Sequence, residues 1–278
     1  MPALNSISPG KLFRLIGTPA SPTIIDVRPD GDGLIPGARR YAADDVARWA
    51  GTIQRRSVVV VCVKGEEKGA GVAAWLRHEG VNAEVLEGGI EGWTDANQPV
   101  VNETLIPPRN AEGRTVWVTR ARPKVDRIAC PWLIRRFVDP DAIFLYVAPS
   151  EVAGVSERFG ATPFDVEGVF WSHRGELCTF DVMIEEFGLA SIDALKRLAV
   201  IVRGADTARP EIAPQAAGLL AMSLGLSRMY SDDLEQLKAG MPLYDALYRW
   251  CRDAVDETHD WISHTPKPRA RRSAKPTL

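Results

Sequence analysis

"VVVVCVKGEEKGAG", residues 58–71, runs four valines into a lone cysteine and then into a loop of glycines and charges. β-Branched residues favour extended backbone, and an unbroken apolar run suits a strand covered on both faces of a sheet. Cys62 falls where that strand ends, and "KGAGVAAWLRHEG" beyond it carries a helical pattern. Working outward, "SPTIIDVRP" predicts another strand and "AADDVARWAGTI" a helix; "NAEVLEGG" predicts a third strand and "IEGWTDA" a last helix. Strands alternating with helices imply a parallel sheet with helices on its faces. Ligands of such sheets gather beyond the carboxyl ends of the strands, which is where Cys62 stands.

The remaining 180 or so residues change character. The stretch "DANQPVVNETLIPPRNAEGR", residues 95–114, lacks periodicity and carries a Pro-Pro pair, so residues 99–115 read as a linker between a domain at 1–98 and a second at 116–263. The second opens with strands at "TVWVTRARP" and "AIFLYVA" and continues in long helical patterns, a helix-rich α+β expectation after the α/β first half. Residues 264–278 hold five Lys/Arg, three prolines and no acid. That composition suits a disordered solvating tail, or an arm for nucleic acid or an acidic partner.

Bulk properties narrow the class. A chain of 278 residues with 45% hydrophobic and 25% charged residues folds around ordinary cores. The net charge of −2 gives no global bias toward nucleic acid, and no apolar stretch is long enough to span a bilayer. Four scattered cysteines without a CxxC pair predict free thiols. With no signal-peptide h-region at the start, the expected compartment is the cytoplasm.

Three pieces in order, "IIDVR" at 24–28, "IPGA" at 35–38 and "LEGGIEGW" at 86–93, flank the strand that ends in Cys62. Together they resemble a single rhodanese domain across residues 5–98. The resemblance implies that Cys62 accepts a sulfane sulfur as a persulfide and passes it on. The chemistry stands on its own terms as well. A loop curling from strand to helix turns amides toward one spot, and the helix dipole adds positive potential there. Lys64, Gly65, Glu66, Glu67, Lys68 and Gly69 would form that anion-binding loop. The alternative is an inert cysteine packed as a small hydrophobe. Rhodanese loops of the type C-R-x-G-x-R-[ST] place arginines by the sulfur, whereas this chain has Val63 and Glu67 at those positions. Lysines lack the planar fork that grips an oxyanion, so sulfur relay from some donor is expected ahead of rapid thiosulfate turnover. Asp26 and Arg28 are expected to organise the domain.

The second half resembles the C-terminal domain of the ChrB family across residues 115–255. The text that carries this includes "WVTRARPKVDRIACPWLIRRFVDPDAIFLYV", "GVFWSHRGELCTFDVMIEEF" and "LAVIVRGADT". The resemblance implies a role in chromate resistance, either with a protein partner in detoxification or as a redox-responsive regulator that binds a partner or DNA. Two constellations follow from the residues. If a helix starts at Pro131, Cys130 lies at its positive end near Arg127, and the thiol is activated; alternatively "DRIACPWLIRRF" is one Pro-kinked core helix. His173, Cys178 and Asp181 lie within nine residues and could ligate a divalent metal, with Asp126 or Asp206 completing the set. A polar turn before a helix-start aspartate explains the same text.

Overall fold

The computed structural model describes residues 5–31, 33–53 and 57–257. The basic tail, with His259 and His264, lies outside the described residues. The first half contains five short strands: β1 (Ser6–Ile7), β2 (Thr23–Asp26), β3 (Ala38–Arg40), β4 (Val58–Val61) and β5 (Ala83–Leu86). They form one parallel sheet in the order β1-β5-β4-β2-β3, so the valine strand is central. Helices α1 (Pro9–Phe13), α2 (Val46–Trp49), α3 (Glu67–His78) and α4 (Gly89–Asp95) cover it. The helix expected across "AADDVARWAGTI" is broken, with α2 a single turn between two 3-10 turns at Ala43–Asp45 and Ala50–Thr52.

The period-2 alternation of a strand decides what each valine does. Val58 and Val60 pack with Val72, Ala73 and Leu76 of α3, and Cys62 continues that row. Val59 and Val61 point the other way, into a core shared with the second half of the chain. This core joins Ile7, Leu12 and Trp93 to Trp132, Phe137 and Tyr248. The connecting segment is packed rather than loose: Val101 is buried and pairs with Leu34, and Asn102 donates its amide to the Phe187 carbonyl. Across the same boundary Gly37 donates its amide to the Phe137 carbonyl at 2.6 Å, and Arg39 meets Asp141 at 2.7 Å.

The second half is helix-rich, as expected, and its small sheet is wholly parallel. Strands β6 (Val116–Arg120), β7 (Ile143–Val147) and β8 (Thr162–Pro163) lie in the order β7-β6-β8. Helices α5 (Asp126–Leu133) and α6 (Val152–Phe159) make the crossovers. Helices α7 (Thr179–Glu186), α8 (Asp193–Asp206), α9 (Gln215–Met229) and α10 (Asp233–Asp253) follow. Among the described residues no helix is long and apolar enough to cross a membrane.

Phe137 sits at the junction, fully buried, with ring centroids 5.8 Å from Trp132 and 5.5 Å from Tyr248. Removing so large a side chain from a close-packed interior costs about 3–5 kcal/mol. Phe137→Ala should therefore lower the denaturation midpoint of both halves together in a urea titration followed by tryptophan fluorescence and circular dichroism. Two well-separated transitions in the wild type would show that the core is not shared.

Candidate functional site

Cys62 lies one residue beyond β4, and the backbone around it is fixed from the side. The amides of Ile90 and Glu91, in the first turn of α4, bond the carbonyls of Cys62 at 2.9 Å and Val63 at 3.1 Å. That approach needs a glycine at 89, where φ is +59° and a Cβ would collide with both carbonyls. With the carbonyls of the loop start held there, the amides of residues 63–69 donate to no described residue. Helix α3 also starts without a side-chain cap. Unpaired amides at the start of a helix, together with its dipole, favour negative charge nearby.

The sulfur sits under the first turn of α3. A Cβ on Gly69 would lie 2.7 Å from Cys62 Sγ, so the glycine leaves the thiol its room. Cys62 is 5% exposed and lies at a cavity of about 400 Å³ whose wall includes Arg28, Lys64, Glu66, Glu67 and Lys68. Lys64, Glu66, Glu67 and Lys68 are themselves exposed, so both glutamates reach solvent at the rim. Arg28 is the buried cation of this wall. Its Nε and Nη2 grip Asp26 at 2.6–3.0 Å, and Nη2 also meets the Gly33 carbonyl at 2.6 Å. Arg28 thus organises the domain, as expected, and also borders the cysteine cavity, which the sequence reading did not foresee. A larger cavity of about 540 Å³ lies by Arg39, Arg40 and Arg109, but acids already pair these groups.

In the second half the structure keeps His173 with Asp126 and Asp206, the two residues expected to complete a set, and leaves out Cys178 and Asp181. His173 Nε2 lies 3.1 Å from Asp206 Oδ2, 3.4 Å from Asp165 Oδ1 and 3.6 Å from Asp126 Oδ2. Asp126, His173 and Asp206 each offer a ligand atom within 4.8 Å of the others, the arrangement here that could hold a metal. Cys178 and Asp181 turn to each other instead. The Cys178 amide and thiol donate to Asp181 Oδ2 at 3.1 and 3.2 Å, closing the start of α7, and Asp181 faces Arg203. The polar turn with a helix-start aspartate is therefore what "SHRGELCTFD" forms.

Electrostatics follow from burial. Asp126 is fully buried, and burial followed by the Asp206 and Asp165 charges pushes its carboxyl well above the usual range. Hydrogen bonds to Asp165 and Asp206 raise His173 to about 10. For Asp165, burial alone would raise the carboxyl, but hydrogen bonds from His173 and Thr179, with the Arg127 and Arg120 charges, outweigh it and leave it lowered. Arg127 Nε meets Asp165 Oδ2 at 3.2 Å. Asp165 went unnamed in the sequence because it follows a two-residue strand, too short to leave a pattern.

Cys130 is a correction. The helix begins at Asp126, not Pro131, and Cys130 is fully buried in its middle, where burial and then the Asp126 charge push the thiol up rather than down. Pro131 cannot donate to the Arg127 carbonyl one turn earlier, and the Tyr146 hydroxyl donates to that carbonyl instead, at 2.9 Å. The neighbouring arginines are engaged elsewhere: Arg136 forks onto Asp245, and Arg135 stacks over Phe144. Val125, just before this helix, holds φ +30°, strained for a β-branched residue. The Ser223 hydroxyl accepts its amide and the Tyr244 hydroxyl donates to its carbonyl.

Two family models divide the chain where the sheets do. Residues 8–96 match the rhodanese-like domain, and residues 117–251 match the C-terminal domain of ChrB. The chain joins a rhodanese-like domain to a ChrB-type domain. It is 35% identical over 147 residues to Protein ChrB of Cupriavidus metallidurans, a match covering 51% of this chain and 42% of that protein. Its rhodanese-like domain is similar to a solved rhodanese-related protein from Thermoplasma volcanium, at 26% identity, TM-score 0.33, and coverage of 36% of this chain and all of that one. A rhodanese-like domain protein from Staphylococcus aureus is also 26% identical, with TM-score 0.30, covering 32% of this chain and 91% of that one.

The four free cysteines differ in access and chemistry. Cys130 and Cys178 are wholly buried with raised thiols, and Cys251 is buried and pushed up to about 11, by burial first. Cys62 of the rhodanese-like domain alone among them lines one of the cavities described above. Iodoacetamide on the folded protein should modify Cys62 first, at least ten-fold faster than the other three, as read by peptide mass spectrometry. Equal labelling of all four before unfolding would contradict this assignment.

Proposed function

We propose that the chain is a chromate-resistance protein whose rhodanese-like domain carries a sulfane sulfur on Cys62. The observation that supports this is the run of amides at residues 63–69 that donate to no described residue, in the loop that follows the cavity-lining Cys62. In the loading step the Cys62 thiolate attacks the outer sulfur of a donor such as thiosulfate. The new S–S bond forms as the donor's S–S bond breaks, and sulfite leaves with the bonding pair. The product is a Cys62 persulfide anion, whose charge the loop amides and the start of α3 stabilise. In the delivery step an acceptor thiolate attacks the terminal sulfur, returning Cys62 as thiolate and leaving a persulfide on the acceptor. No outside oxidant or reductant is consumed in either step.

Charge at the rim sets the donor preference. Lys64 and Lys68 draw an anion in, while Glu66 and Glu67 oppose it and Arg28 is already paired with Asp26. A guanidinium in place of Glu67 would restore a bidentate donor at the mouth and remove one repulsive charge. Glu67→Arg should raise kcat/KM for thiosulfate at least ten-fold with little change for an uncharged persulfide donor. An equal change for both donors would argue against anion recognition at this rim.

The test of the function has two readouts. Incubation with thiosulfate or a persulfide donor should add the mass of one sulfur to the Cys62 peptide, and Cys62→Ser should take up none. In a chromate-sensitive host the wild type should restore growth on chromate and Cys62→Ser should fail to. Uptake of sulfur by Cys62→Ser equal to the wild type would dismiss the persulfide reading, and full rescue by it would separate resistance from sulfur transfer.

A further inference from the structure

Asp126, Asp165, His173 and Asp206 come from four separate segments of the second half: the start of α5, the turn after β8, the loop before α7 and the last residue of α8. Nothing in their sequence spacing brings them together, yet three carboxylates converge on one imidazole nitrogen at 3.1, 3.4 and 3.6 Å. Around a divalent ion with bonds of about 2.1 Å, neighbouring ligand atoms stand roughly 3.0 Å apart in octahedral and about 3.4 Å in tetrahedral geometry. The 3.1 and 3.6 Å separations of His173 Nε2 from Asp206 and Asp126 lie near these edge lengths, and the three ligand atoms all lie within 4.8 Å of one another.

Two further observations point to a missing positive charge. Asp126 is fully buried; its Oδ2 lies against His173 and the Phe180 amide and the Cys178 thiol is a neighbour of the carboxyl, but no described residue meets the hydrogen-bond geometry at Oδ1. A buried carboxylate oxygen without a donor is costly and calls for an explanation. Asp206 ends the fourteen-residue helix α8, where the helix dipole is negative and a carboxylate is disfavoured. The cations nearby do not answer either need. Arg127 and Arg120 both pair with Asp165, and Arg203 pairs with Asp181. That leaves His173 alone facing both Asp126 and Asp206.

We propose that Asp126, His173 and Asp206 bind one divalent cation, with Asp165 beside them as a positioning residue for the imidazole. Oxygen ligands with a single imidazole suit ions that favour mixed oxygen and nitrogen donors, Mn²⁺ above softer, thiolate-seeking ions. Cys130 and Cys178 stay outside the ligand set as buried thiols. Arg127 and Arg120 meet Asp165 Oδ2, and Thr179 donates to Oδ1, the oxygen that faces His173, so Asp165 is itself held in place and orients the imidazole, the part that outer groups play around metal ligands. His173 is 39% exposed and Asp206 18%, so the group reaches solvent. Because the imidazole must be neutral to ligate, binding releases a proton.

The experiment is equilibrium dialysis of the full chain, stripped with chelator, against Mn²⁺, with Zn²⁺ and Mg²⁺ in parallel; free Mn²⁺ is read by electron paramagnetic resonance. The wild type should bind one Mn²⁺ per chain, release a proton in weakly buffered solution, and gain thermal stability. Asp126→Asn, near isosteric, and His173→Gln, partly exposed, should each weaken binding at least ten-fold. Glu185→Gln, an exposed change on α7, should leave it unaltered. Circular dichroism establishes that each variant is folded, and His173→Gln carries the test if Asp126→Asn is not. Failure of the folded wild type to bind any of the three ions would overturn the proposal, as would binding that survives the folded variants; the site is then an ion-pair network.

Discussion

The two hydrogen bonds from Ile90 and Glu91 to the carbonyls of Cys62 and Val63 govern the geometry of the rhodanese-like domain. They fix the direction in which the chain leaves the valine strand. With those carbonyls turned toward α4, the amides of residues 63–69 have no acceptor among the described residues and are free to meet an anion. The glycine at 89 is the covalent condition for this, since a side chain there would meet the carbonyls head on. Gly69 plays the complementary part beneath α3, leaving the space the sulfur occupies. Backbone, more than side chains, therefore makes the site, and a loop that lacks the arginines of its relatives can still present positive potential.

Both halves apply the same architectural rule. Cys62 and Arg28 follow β4 and β2, while Asp126 and Asp165 follow β6 and β8, so each set of functional groups lies at the carboxyl ends of parallel strands. The halves are joined through one core, in which Val59 and Val61 of the central strand belong to the same cluster as Trp132, Phe137 and Tyr248. The segment at 99–115 contributes through Val101 and through Arg109, which meets the buried Asp139 at 2.9 Å. A change in packing near Phe137 is thus felt on the back face of the strand that carries the cysteine.

Much of the first half was legible because its signals are local. The valine run, the "IIDVR" strand and the glycine pair at 88–89 each state their geometry within a few residues, and their order identifies the fold. What stayed hidden was short or non-local: a two-residue β1, and a second helix broken by 3-10 turns. In the second half the grouping is legible in part: Asp126 and Asp206 are readable as partners for His173, but nearness in sequence also suggests Cys178 and Asp181, which the fold pairs with each other, and gives no sign of Asp165. For Cys130 the sequence leaves two readings open, because a proline at a helix start and a proline tolerated inside one look alike; the structure takes the second, with Tyr146 donating to the orphaned carbonyl.

The account stands or falls on whether the amides around Cys62 meet negative charge. The direct measurement is a ¹⁵N–¹H spectrum of the folded protein titrated with sulfite, the anion released in the loading step. The amide signals of residues 63–69 should move together and saturably, with little change in the ChrB-type domain. Shifts confined to the arginine-lined cavity near Arg39 and Arg109, or none at all, would contradict it.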